Sequence, residues 1–128
     1  MERILIGKPI NDIQDGILAF VKDNGFKVFN IIDQRAEAIN VGLNIPETKL
    51  IIFGNPKIGT LLIQENNDIT FELPSKVLLI ASQNQTKIIY KDPYNFSGVN
   101  ELAVQGKAII KNIHNMYLNM IQYISNNN

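Results

Sequence analysis

The sequence has no cysteine and a single histidine, and its twelve basic residues cancel its twelve acidic ones. Each lack removes a class of function. Without cysteine there is no disulfide, no thiolate nucleophile and no cysteine zinc site, a composition compatible with a reducing cytoplasm. The charges are scattered, so no cluster of Lys and Arg can displace counterions from a phosphate backbone or hold an anionic membrane surface. The N-terminus puts only Ile4, Leu5 and Ile6 in a row before Lys8 and Pro9, too few for the core of a signal peptide. No later stretch approaches a bilayer-spanning length. The expectation is a cytoplasmic protein that engages neither nucleic acid nor membrane.

What is present suffices for one domain. At 128 residues a chain buries about two thirds of its unfolded surface, enough for an independent core. Residues 3–8 alternate as a strand stopped by Pro9. Ile10, Ile13, Ile17, Phe20 and Val21 then recur at helical spacing, which predicts a helix over 12–23, capped by Asn11 or Asp12 and ended by Gly25. Residues 26–33 form a strand with apolar groups on both faces, and 34–41 a short helix. A strand over 48–53 and a helix over 56–65 follow. Residues 76–82 and 86–91 pair as a hairpin, and residues 99–125 form one long helix with a broad apolar stripe.

The predicted order is β-α-β-α-β-α-β-β-α. The fold class expected is α+β: two layers, a five-stranded mixed sheet with helices packed on it, one domain over 1–125 and a frayed polar tail at 126–128. Strands two to five are apolar on both faces. Helices on both sides or a second copy of the chain must cover them, and a homodimer is expected.

The most informative stretch runs from Lys49 to Pro74. An apolar strand ends at Gly54, Asn55 caps the next helix, and Pro56 takes its first position, where a missing N–H costs nothing. Gly59 sits inside that helix, where it costs about 1 kcal/mol relative to alanine. A close approach to a backbone or a ligand would account for it, and so would tight packing on the sheet. The segments Phe53-Gly54-Asn55-Pro56-Lys57-Ile58-Gly59-Thr60, Leu73-Pro74-Ser75-Lys76-Val77, Tyr90-Lys91-Asp92-Pro93 and Asn24-Gly25-Phe26 occur in this order over nearly the whole chain. In these segments the sequence resembles the domain-of-unknown-function 302 family, small α/β proteins of bacteria and archaea. The resemblance implies a two-layer α/β fold and a tendency to dimerise, and no established reaction. Many relatives carry a cysteine just after the Leu-Pro pair, where this chain has Ser75.

Four groups of residues carry candidate chemistry. Gly54, Asn55, Lys57, Gly59 and Thr60 could bind a small, anionic molecule through helix N–H groups, the helix dipole and the Lys57 ammonium, against the plainer reading of an ordinary capped helix. Glu65, Glu72 and Asp92 could supply a carboxylate pair for acid–base work, against solvated surface charge. His114 has no ligating neighbour three or four residues away, and no serine stands in a G-x-S-x-G setting. Tyr90, Tyr94 and Phe96 could wall an apolar pocket, a subunit contact or simply the core. The leading expectation is therefore a homodimeric domain that binds a small molecule near Gly54–Thr60, with no catalytic residue, metal or cofactor. The rivals are a small carboxylate enzyme and a structural or interaction module.

Overall fold

The computed structural model describes residues 1–126. Five strands, β1 (Glu2–Ile6), β2 (Lys27–Asp33), β3 (Thr48–Gly54), β4 (Ser75–Ser82) and β5 (Gln85–Tyr90), form one sheet in the order β1-β5-β4-β3-β2. The α+β class and two layers are as expected, but the sheet is not mixed. All four pairings are antiparallel. The helical connections after β2 and β3 each return the chain beside the strand it has just left, running the other way, so neither makes the crossover that a parallel neighbour requires.

Helices α1 (Ile10–Asp23) and α4 (Val104–Asn126) lie on one face of the sheet. Ile13, Ile17 and Val21 of α1 and Met120 and Tyr117 of α4 close over Ile51, Phe53, Val77, Leu79 and Ile88. Fully burying such side chains stabilises by about 1.5–3 kcal/mol each. A second, smaller core joins α3 (Pro56–Glu65) to the first half of α4 through Leu62, Ile69, Leu102, Ile109 and Ile110. Ile113 packs against both cores. That double duty explains the breadth of the apolar stripe on α4.

Helix boundaries depart from expectation where the backbone finds unforeseen partners. α1 begins at Ile10 after Pro9, with no side-chain cap in place of the expected Asn11 or Asp12. α4 begins at Val104 rather than 99, because Val99–Glu101 forms a separate 3₁₀ turn and Leu102 then runs extended. The extended step drops Leu102 into the second core. Glu65 Oε1 accepts the Ala103 N–H at 2.8 Å and fixes the helix entry. A further 3₁₀ segment, Asn67–Glu72, follows α3 and leads to the cis Leu73–Pro74 peptide. Helix α2 (Gln34–Asn40) buries no side chain. Of the expected frayed tail, Asn126 closes α4, and Asn127 and Asn128 lie outside the described residues.

Among the described residues, the opposite face of the sheet has no helical layer like that of α1 and α4. Register places Leu50, Leu78 and Ile89 side by side across β3, β4 and β5, flanked by Ile52 and Ile80, and all five are only partly buried. Leu5 is exposed on the same face, and Phe71, before β4, is 91% exposed.

Candidate ligand-binding site

The turn at Gly54–Lys57 folds as its residues dictate. Asn55 Oδ1 accepts the N–H groups of Lys57 and Ile58 at 3.0 and 3.3 Å, and the Gly59 N–H goes to the Asn55 carbonyl at 2.9 Å. Pro56 has no N–H to offer. The first turn of α3 therefore keeps no donor for an anion, and the Thr60 hydroxyl donates to the Pro56 carbonyl at 2.7 Å.

Beside this turn lies a cavity of about 400 Å³. Gly54, Asn55, Gly59 and Thr60 line it, and Lys57 does not. The remaining wall is strongly apolar, with Phe26, Phe29 and Phe53 on one side and Ile58, Ile113 and Met116 among the helical contributors. Phe29 reaches the cavity because the pairing of β2 with β3 slips between Val28 and Asn30, leaving Phe29 as the extra residue of a bulge that re-aims its ring. A Cβ placed on Gly59 would meet only Leu73 Cδ1, at 4.0 Å. Tight packing therefore does not account for this glycine. A Cβ there would make only an ordinary van der Waals contact.

Ser75, 7% exposed, belongs to the inner wall. Next to it stands the Tyr117 phenol, whose pKa burial pushes up to about 12 even though Ser75 and the Lys76 backbone favour the phenolate. Thr60, Thr70 and Asn112 are exposed and stand at the mouth.

The three carboxylates do not form a pair; each is engaged elsewhere. Glu65 caps α4 as described. Glu72 Oε2 accepts the Lys91 ammonium at 2.8 Å and the Ser97 N–H at 2.6 Å. Burial opposes its charge, yet these bonds and the nearby Lys76 ammonium hold its pKa below the ordinary carboxylate value. Lys76 Nζ donates to the Glu72 and Pro74 carbonyls, and burial, outweighing the pull of Glu72, lowers its pKa. Asp92 receives His114 Nδ1 at 3.0 and 3.1 Å on its two oxygens. Helix spacing could not reveal this partner of His114, which comes from a loop across the fold. The aromatic trio divides: Tyr90 stacks on Tyr117 at 4.3 Å, Tyr94 leans on His114 at 4.7 Å, and Phe96 enters the second core. Among the described residues no group of three or more metal-ligating side chains stands together, and no helix is long and apolar enough to cross a membrane.

The fold and site define a small two-layer α+β domain with an apolar chamber between its sheet end and two helices. The chain belongs to the family described as "Domain of unknown function DUF302", whose model matches residues 4–121. A crystal structure of an uncharacterized conserved DUF302 protein from Bacillus stearothermophilus superposes with a TM-score of 0.81 at 18% identity, over 96% of each chain. Among curated proteins, a sequence named fluoride-specific ion channel FluC 1, from Brucella suis, is 44% identical over 62 residues, 48% of this chain and 24% of that protein. The FluC 1 protein of Brucella abortus matches equally over 23% of its length. The chain thus spans about a quarter of the curated relatives it matches.

Proposed function

We propose that this protein is a cytoplasmic, homodimeric binding domain that holds a small organic molecule in the cavity beside Gly54–Thr60 and catalyses no reaction on it. The cavity carries this reading: about 400 Å³ lies in the size range of small-molecule sites, and four of the five residues picked out by sequence line it. Binding is favoured over catalysis because Glu65, Glu72 and Asp92 are each tied to structural partners. The aliphatic outer face of the sheet supports the dimer, since a second copy laid face to face would take those side chains out of water. Native and denaturing mass spectra of freshly purified protein test both parts. The expected result is a dimer carrying extra mass that vanishes on denaturation. A bare monomer that also fails to bind any of a panel of small organic probes would overturn the reading.

The Brucella channels favour a second reading, an accessory module serving a membrane protein. Co-elution of the chain with a co-expressed fluoride channel of that kind would support it, and separate elution would count against it.

A further inference from the structure

We infer that the ligand of this cavity is an uncharged, largely apolar molecule of about bicyclic-aromatic size, anchored by one hydroxyl or carbonyl group on Ser75. The inference rests on the cavity reading and narrows the class of molecule. None of the residues lining the cavity is charged. Among the lysines next to lining residues in sequence, Lys57 is not part of the wall, Lys76 Nζ is held by the Glu72 and Pro74 carbonyls, and the Lys27 ammonium stands over the Phe29 ring, 5.3 Å from its centroid. The first-turn N–H groups of α3 are consumed by Asn55. A carboxylate or phosphate in this chamber would lose its water and meet no charged group in the wall itself, the Lys27 ammonium being engaged with the Phe29 ring, so its desolvation would go largely uncompensated. An ammonium would meet no carboxylate.

The walls suit a flat apolar body instead. Phe26 and Phe53 stand 6.3 Å apart at 49°, and Phe29 adds a third ring from the bulge. Aromatic surfaces of this kind favour offset or edge-on contact with another ring. Gly59 deepens the chamber where any side chain would shallow it, at a cost in helix propensity that the packing does not repay. Toward the inner wall, Ser75 is the buried polar side chain. The oxygen of Ser75 can accept from a ligand hydroxyl, and its proton can turn to a ligand carbonyl. Thr60, Thr70 and Asn112 are exposed, where water serves them, and the half-buried Asn55 spends its Oδ1 on the cap of α3.

The test uses 2-naphthol and 2-naphthoate, which share a ring system and differ in charge at pH 7, with naphthalene as the body without an anchor. Binding is read from probe fluorescence on wild type, Gly59→Leu, Thr60→Trp and Ser75→Ala. The expected result is saturable binding of 2-naphthol with 2-naphthoate at least about tenfold weaker. Gly59→Leu should fill the chamber and abolish binding with its unfolding midpoint kept. Thr60→Trp, at an exposed position, should block the mouth if the leucine variant does not fold. Ser75→Ala should weaken 2-naphthol roughly fivefold and leave naphthalene unchanged. Tighter binding of 2-naphthoate that Gly59→Leu removes would overturn the uncharged class while the cavity reading stands. Binding that neither Gly59→Leu nor Thr60→Trp touches, or no binding by any probe, would overturn the cavity reading and this inference with it. Equal losses of naphthol and naphthalene in Ser75→Ala would overturn the anchor.

Discussion

The phenol of Tyr117 accepts the Lys76 N–H at 3.0 Å and donates to the Lys76 carbonyl at 3.1 Å, so one side chain of α4 satisfies both backbone groups of a residue in β4. The ring itself is buried between Tyr90 and Phe53. Replacing Tyr117 by Phe keeps the packing and orphans both groups. The expected cost is about 1–3 kcal/mol, read as a lower urea midpoint with an unchanged slope. A neutral outcome would mean that water reaches Lys76.

Glu72 should make the fold acid-sensitive in a defined window. Its folded-state pKa lies below the ordinary value of 4.5, so its contribution is complete above that value. It is lost as pH falls through the folded value, since the unfolded state then binds the proton more readily. Stability measured from pH 7 down to 3 should bend downward below about 4.5, and Glu72→Gln should flatten that bend while costing about 1 kcal/mol at pH 7. The exposed side of Lys91 keeps the ion pair itself a minor part of this.

Gly106→Ala should destabilise, against the usual gain of a helix interior. The added Cβ would run into the Glu65 carboxylate that holds the Ala103 N–H. We expect a loss of about 1 kcal/mol in thermal or urea unfolding. In a Glu65→Ala background the same change should become neutral or stabilising. Additive effects in that cycle would show that the two residues do not meet.

Leu78→Glu, at the centre of the outer aliphatic row, should leave the monomer folded and prevent dimerisation. Light scattering behind a sizing column is the measurement. An unaltered dimer would move the interface to another surface.

Lys57→Ala should leave 2-naphthol affinity unchanged, because Lys57 stands outside the cavity wall. A loss of more than about threefold would return the ammonium to the site.

Local chemistry was legible in the sequence where it stayed local. Asn55 and Pro56 specify their helix start within four residues, and the hairpin of β4 and β5 needs only its short turn. The cavity's near wall followed from the same stretch. Its far wall did not, since Ile113, Met116 and Asn112 come from a helix whose stripe announces burial without naming the neighbour. Phe29 was legible as one of two apolar sets, but a bulge decides where such a ring points, and bulges leave no mark in alternation. The pairing of Asp92 with His114 and of Glu65 with Ala103 joins residues 22 and 38 positions apart, beyond any periodic signal. Helices between strands are compatible with a mixed sheet, but the two helical connections concerned return antiparallel.

The strand order also carries an expectation about the order of folding. β2, β3, β4 and β5 neighbour one another in chain order, whereas β1 lies at the far edge and meets only β5, with Ile4 opposite Ile88. Contacts between near neighbours close small loops and form early, while an edge that closes a loop of most of the chain must wait. By this loop-closure argument the first strand made is expected to be the last one seated.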